Sequence, residues 1–298
     1  MMKGKRLTLA QKSAWQGRLF VLPFIIGFLF FFLYPLVQCV RLAFSNVNID
    51  IGGYQTEFIK FDNFKYIFGE DLYYNTNLFN SLIEVLWKVP AILVVSCFLA
   101  IMLNQKFLGR TFMRAIAFLP AVISSGLVLE TMQQDVVISS MASGKSVSSG
   151  AIIQSTGLQD ILVSAGFNEN ITNLFTTLSD NMFSLLWLSG VQVVLFLTAL
   201  QNIPGSLYEA AHVEGASAWE SFWKITFPMI CPILLVSAVY TVVDLFTSTD
   251  NAVMRQVLNA TNNIQLGWAS AMSIVYTVVL GIVLFVIIKL FSKLQDVT

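Results

Sequence analysis

Between Arg18 and Arg41 run 22 residues without a charge, LFVLPFIIGFLFFFLYPLVQCV. At a rise of about 1.5 Å per residue, a helix of that length crosses a hydrocarbon core of roughly 30 Å. The run is too long for a signal peptide and no A-x-A site follows it, so it is expected to remain as a membrane anchor. Five comparable runs follow: Phe79 to Asn104, Phe112 to Gln134, Asn181 to Gln201, Thr226 to Ser248 and Leu266 to Leu290. They are apolar on all sides and lack the alternation of a membrane barrel, which predicts an all-α integral membrane protein with six transmembrane helices. Composition agrees, since 56% of the 298 residues are hydrophobic and only 11% charged. A formal charge of zero gives no attraction to nucleic acid. Cys39, Cys97 and Cys231 lie far apart in apolar runs, which leaves neither a disulfide framework nor zinc-ligand spacing.

Cations set the expected orientation. Eleven of the 17 Lys and Arg residues fall on one set of alternate loops and tails, among them Lys3, Lys5, Arg6, Lys12 and Arg18 at the N-terminus. That places both termini in the cytoplasm, with residues 1–19 as a cytoplasmic segment and 20–298 as the membrane domain. The expected external loops are Asn46 to Leu78, Asp135 to Asp180 and Thr249 to Gln265. In the middle one, residues 139–150 are rich in Ser and Gly, and Leu158 to Ala165 and Ile171 to Leu178 could form short amphipathic helices on the membrane surface.

The internal loop 202–228 does not read as a plain connector. Pro204 and Gly205 open a helix in which Ser206 is expected as N-cap and Glu209 as its partner at the third position, an S-x-x-E pattern. Ala210, Ala211, Gly215, Ala216 and Ala218 make one side small enough for another backbone to approach, and Glu209 and Glu214 offer carboxylates to a partner's Arg or Lys. Pro228 and Pro232 then restart the chain as the fifth span.

The run LYEAAHVEGASAWESFWKITFPMICP resembles the EAA loop of ABC importer permeases, a pattern of E-A-A, three residues, Gly, and then I-x-L-P. Glu209, Ala210, Ala211, Gly215, Ile225 and Pro228 match it, with Phe227 in place of the usual Leu. LQNIP before the loop, LPFIIGFLFFFLYPL in the first span, FDNFKYIF, and LNQKFLGRTFMRAIAFLPAVIS extend the resemblance to nearly the whole chain. Together they are similar to the first permease subunit of carbohydrate importers, the branch that includes the maltose, multiple-sugar and glycerol-3-phosphate systems.

The resemblance implies the type I importer fold in a bacterial cytoplasmic membrane. It implies a heterodimer with a second permease subunit, two separate ATPase subunits that bind ATP and Mg, and an extracytoplasmic solute-binding protein that delivers a carbohydrate. Glu209, Ala210, Ala211, Glu214 and Gly215 would then couple the chain to an ATPase subunit. The chain itself is expected to be no enzyme and to carry no cofactor or metal. Gly144, Lys145 and Ser146 are its GKS, but Ser139 stands where a phosphate loop needs Gly. His212, the only histidine, lies in the coupling loop, away from any ligand set.

For the substrate pathway, charged residues within spans come first, namely Glu84, Lys88 and Asp244. Glu84 and Lys88, four apart, can simply pair with each other. Aligned with the family's sugar-contacting positions, Tyr240, Val243, Asp244 and Thr247 fall on one face of span five, and Trp187, Leu188 and Val191 on span four, with Gln192 adjacent. A carboxylate accepts hydroxyl hydrogen bonds and an aromatic face suits the apolar side of a pyranose. Glycerol-3-phosphate is the rival cargo, with Lys88 and Arg255 as the cations near the outer mouth. A stand-alone secondary carrier or an intramembrane enzyme is the rival of another class. No internal repeat favours the carrier.

Overall fold

A computed structural model of the chain describes residues 9–50, 53–105, 108–123 and 168–295. The expected surface helix Leu158 to Ala165, the Ser/Gly-rich stretch 139–150 and the second half of the third span lie outside the described residues. The chain divides into two units, one of residues 1–76 and 256–278, the other of residues 77–255 and 279–298.

In the first unit, α1 (Leu9–Gly27) continues through a π-helical turn (Phe28–Leu33) into α2 (Tyr34–Ala43). The wide turn sits just ahead of Pro35, which has no N–H to give and whose ring would crowd the carbonyl one α-turn back. The Tyr34 N–H reaches the Leu29 carbonyl instead, a five-residue step. Helix α2 ends where Asn63 Nδ2, itself buried, donates to the carbonyls of Ala43 at 2.8 Å and Ser45 at 3.0 Å.

An antiparallel pair follows, β1 (Ser45–Asp50) and β2 (Gly53–Phe58), in register Ser45 to Phe58. This corrects the purely helical expectation: the stretch read as an external loop holds a hairpin, then α3 (Asp62–Gly69). Helix α4 (Leu72–Asn104) starts earlier than the apolar run because the Asp71 carboxylate accepts from the N–H groups of Tyr73 and Tyr74, both at 3.0 Å. The Tyr74 hydroxyl donates to the carbonyl of Met272 at 2.8 Å. That carbonyl belongs to α12 (Leu266–Gln295), which opens against the hairpin: a Cβ on Gly267 would stand 2.6 Å from the Ser45 carbonyl oxygen. Tyr66 and Trp268 stack there at 4.3 Å. Only a glycine permits so close an approach.

The second unit takes residues 77–104 of α4 and 279–295 of α12 and adds α5 (Arg110–Ile123), α6 (Glu169–Leu188), α7 (Gly190–Gln201), the loop helices α8 (Gly205–Val213) and α9 (Ala218–Ser221), a second π turn (Phe222–Thr226) and α10 (Phe227–Thr247). Helix α11 (Ala252–Asn262) occupies the expected last external loop. Val193, Phe196, Leu197 and Leu200 of α7 and Ile230, Ala238, Val242, Leu245 and Phe246 of α10 are buried where these two helices pack.

Two expectations need correcting here. Ile171 to Leu178 is no separate surface helix but the first half of the 20-residue α6. The fourth span is not one helix either, because it breaks at Ser189, whose hydroxyl donates to the Leu186 carbonyl at 2.7 Å. Among the described residues, four helical stretches are long and apolar enough to cross a membrane, Gly17–Ala43, Leu72–Asn104, Ala218–Thr247 and Leu266–Ser292, and α7 with α8 forms a further pair bent by 63°.

Candidate coupling loop and translocation face

The loop between α7 and α10 is ordered by its ends. Pro204, extended at φ −61° and ψ 129°, occupies the N-cap position of α8, so Ser206 lies inside the first turn and makes no cap bond. The expected Ser206–Glu209 capping box is therefore absent. The box forms one motif later, where the Ser217 hydroxyl accepts from the Glu220 N–H at 3.3 Å and the Ser217 N–H donates to the Glu220 carboxylate at 2.9 Å. Released from capping, the Glu209 carboxylate stands exposed together with Glu214.

Gly215 closes α8. Its φ of +78° is the left-handed conformation that side-chain-bearing residues avoid, and nothing lies within 4 Å of where a Cβ would be. Its N–H donates to the His212 carbonyl at 3.1 Å and the Ala216 N–H to that of Ala211 at 2.9 Å, the paired bonds of a Schellman cap. The glycine of the E-A-A pattern is thus fixed by backbone conformation, a reason independent of any partner. Ala210 and His212 are exposed, and Ala211 between them is half-buried. Behind the helix, the Tyr208 hydroxyl meets Thr226 Oγ1 at 2.8 Å. This contact was not anticipated, and the sequence carries no signal for it beyond two polar side chains in one loop.

The pathway residues separate into two settings. Tyr240, Val243 and Thr247 are exposed and Asp244 half-buried on one face of α10, while Thr241, Val242, Leu245 and Phe246 are buried on the other. Trp187 and Leu188 lie elsewhere. With Glu84, Lys88, Ser184, Leu245, Ser248, Asp250 and Asn251 they line a cavity of about 130 Å³ that does not reach Asp244. Within it Glu84 and Lys88 form an ion pair along one turn of α4. Ser184, Ser248, Asp250 and Asn251 were not anticipated. For Asn251 a signal existed, since an Asn just ahead of an amphipathic run is a cap, and its Oδ1 accepts from the Val253 N–H at 2.9 Å.

Val191 is half-buried and Gln192 fully buried. With its amide set so that both ends are satisfied, Gln192 donates to the carbonyls of Leu188 at 2.7 Å and Ser189 at 3.2 Å and accepts from Thr241 Oγ1 at 2.9 Å. It spans the break between α6 and α7 and ties it to α10. Among the described residues, no cluster of His, Cys, Asp and Glu could hold a metal ion.

No protein-family model matches the chain. Curated relatives do. The "Probable ABC transporter permease protein YesP" of Bacillus subtilis (strain 168) is 28% identical, covering 94% of this chain and 91% of that protein. The "Arabinooligosaccharides transport system permease protein AraP" of the same organism is 26% identical, covering 94% and 93%. Among solved structures, a chain from the crystal structure of a bacterial ABC transporter involved in the import of the acidic polysaccharide alginate superposes with a TM-score of 0.66 at 19% identity, covering 95% of this chain and 96% of that one. Over almost its whole length, in sequence and in fold, the chain resembles the permease subunits of ABC importers.

Proposed function

We propose that this chain is the transmembrane permease subunit of an ATP-driven, binding-protein-dependent importer, forming half of the translocation pathway for an oligosaccharide or related carbohydrate. The observation that carries the reading is the α8 peg. It is a short exposed helix, set at 63° to α7, closed by a left-handed glycine and showing acidic and small side chains to its surroundings. A rigid projection between two membrane helices is what a partner needs in order to push on them. In this reading α8 faces the cytoplasm of a bacterial cell and seats Glu209, Ala210, Ala211, Glu214 and Gly215 against one of two ATPase subunits, which hold the ATP and Mg.

A second permease subunit completes the pathway, and an extracytoplasmic solute-binding protein delivers the sugar. The exposed face of α10, with Tyr240, Val243, Asp244 and Thr247, lines the route. A half-buried carboxylate in a membrane helix is stable only against water, a polar cargo or another polar chain, and that is the support for placing Asp244 there. An uncharged cargo fits better than glycerol-3-phosphate, because Lys88 is already paired to Glu84 and Asp250 adds a further negative charge to the same cavity.

The test is Glu209→Arg in the assembled transporter. Uptake is expected to fall at least about tenfold, the equivalent of losing one charge-assisted contact, with the chain still present in the membrane. Normal sugar-stimulated ATP hydrolysis in that variant would overturn the reading.

A further inference from the structure

Helix α10 does not begin cleanly. Pro228 offers no N–H to the turn behind it, and the chain answers with the π turn Phe222–Thr226, in which the Phe227 N–H reaches the Phe222 carbonyl. Pro232, one turn further on, removes another hydrogen bond. The base of α10 is therefore its least tightly bonded stretch, and a push delivered through residues 214–221 alone would be absorbed there. A second connection bypasses that route. The half-buried Tyr208, in the middle of α8, makes its 2.8 Å hydrogen bond to Thr226 Oγ1, the last residue of the π turn, and Thr226 Oγ1 also lies 3.5 Å from the Ser221 carbonyl at the start of that turn. Thr226 is buried and Tyr208 half-buried, so the bond is partly shielded from competing water. A cavity of about 470 Å³ lies alongside, lined by Tyr208, His212, Phe222 and Thr226 among others, so neighbouring side chains do not fill the space behind the peg.

We infer that the Tyr208–Thr226 hydrogen bond is a strap that makes α8 and the π turn move as one body, so that displacement of the peg reaches α10 and its Asp244 face. Tyr208 and Thr226 are positioning residues, and the inference rests on the function proposed above.

The experiment uses the complete transporter, purified through this chain into lipid nanodiscs, with amide hydrogen exchange read before and after trapping with ATP and orthovanadate. In the wild type, exchange is expected to change in both 205–213 and 222–232. In Tyr208→Phe, which loses only the hydroxyl, the change in 205–213 persists while that in 222–232 shrinks about three- to tenfold, the range set by one hydrogen bond. Thr226→Val does the same, and Thr226→Ser restores the response. An undiminished response of 222–232 in Tyr208→Phe overturns the strap, as does loss of both responses together, which marks a structural role only. No response of 205–213 in the wild type overturns the proposed function, and the strap with it.

Discussion

The first span and the fifth are both strongly apolar and similar in length, and each has a π turn before an aromatic–proline pair, Tyr34–Pro35 in one and Phe227–Pro228 in the other. Their surroundings are opposite. None of the apolar window of Gly17–Ala43 is buried within the chain, whereas 44% of that of Ala218–Thr247 is. The exposed side chains of the first are mostly Phe, Leu, Ile and Val; the buried face of the fifth includes Ser237 and Thr241, the latter hydrogen-bonded to Gln192. Lipid tails are as apolar as Leu, so apolar surface alone gives membrane helices little reason to prefer one another. What separates a helix that faces lipid from one that packs inside is therefore the pattern of small and polar side chains on one face.

The sharpest way to break this contrast is to remove the polar bridge. Gln192→Leu keeps the volume close but removes the amide's bonds to the carbonyls of Leu188 and Ser189 and to Thr241 Oγ1, leaving the Ser189 carbonyl its Val193 N–H and the Thr241 hydroxyl its Ser237 carbonyl. Losing these buried hydrogen bonds together is expected to cost about 2 kcal/mol, read as a lower midpoint of thermal unfolding in detergent. Thr241→Val, which leaves the Leu188 and Ser189 bonds in place, should cost less. Equal stability of Gln192→Leu and wild type would mean that the α7–α10 contact is held by apolar packing alone.

The next effect is smaller and isolates backbone conformation. Neither Gly205 nor Gly215 has any atom within 4 Å of where an added methyl would stand, but only Gly215 has positive φ. Gly215→Ala is expected to destabilise the end of α8 by about 1 kcal/mol, seen as faster amide exchange at Ala216, whereas Gly205→Ala at the helix start is neutral or stabilising by about 0.5 kcal/mol. Equal effects of the two would show that the Schellman cap does not set the length of the peg.

The parts of this molecule that could be read in advance are those governed by local rules. Apolar runs mark helices, and in the E-A-A loop Gly215 takes the left-handed position just past the end of α8. Two S-x-x-E matches stood in that loop, Ser206 with Glu209 and Ser217 with Glu220. Pattern could not choose between them. Pro204 decided it, by taking the cap position through its own extended backbone. The break at Ser189 was out of reach, because Gln192 and Thr241 are 49 residues apart and neither is unusual in a membrane helix. The hairpin was nearer to legible: VNI and YQTEF alternate, but both are short and lie in a stretch that reads as an external loop. For the candidate site, the peg was recognisable by resemblance, while the division of Trp187 and Asp244 between two settings depends on tertiary packing.

The smallest expected effect tests the other side of the contrast. Phe31 is 86% exposed in the first span. If it faces lipid, Phe31→Leu exchanges one apolar surface for another within the same solvent, and stability is expected to stay within about 0.5 kcal/mol of wild type. The same holds for the amount of assembled transporter recovered from the membrane. A loss of assembly with unchanged stability of the isolated chain would place Phe31 against another protein chain, and the exposed Phe-rich surface of the first span would then be an interface. In that case the two spans would differ only in which chain covers them, and the rule drawn from small and polar side chains would apply to contacts within one chain but not between chains.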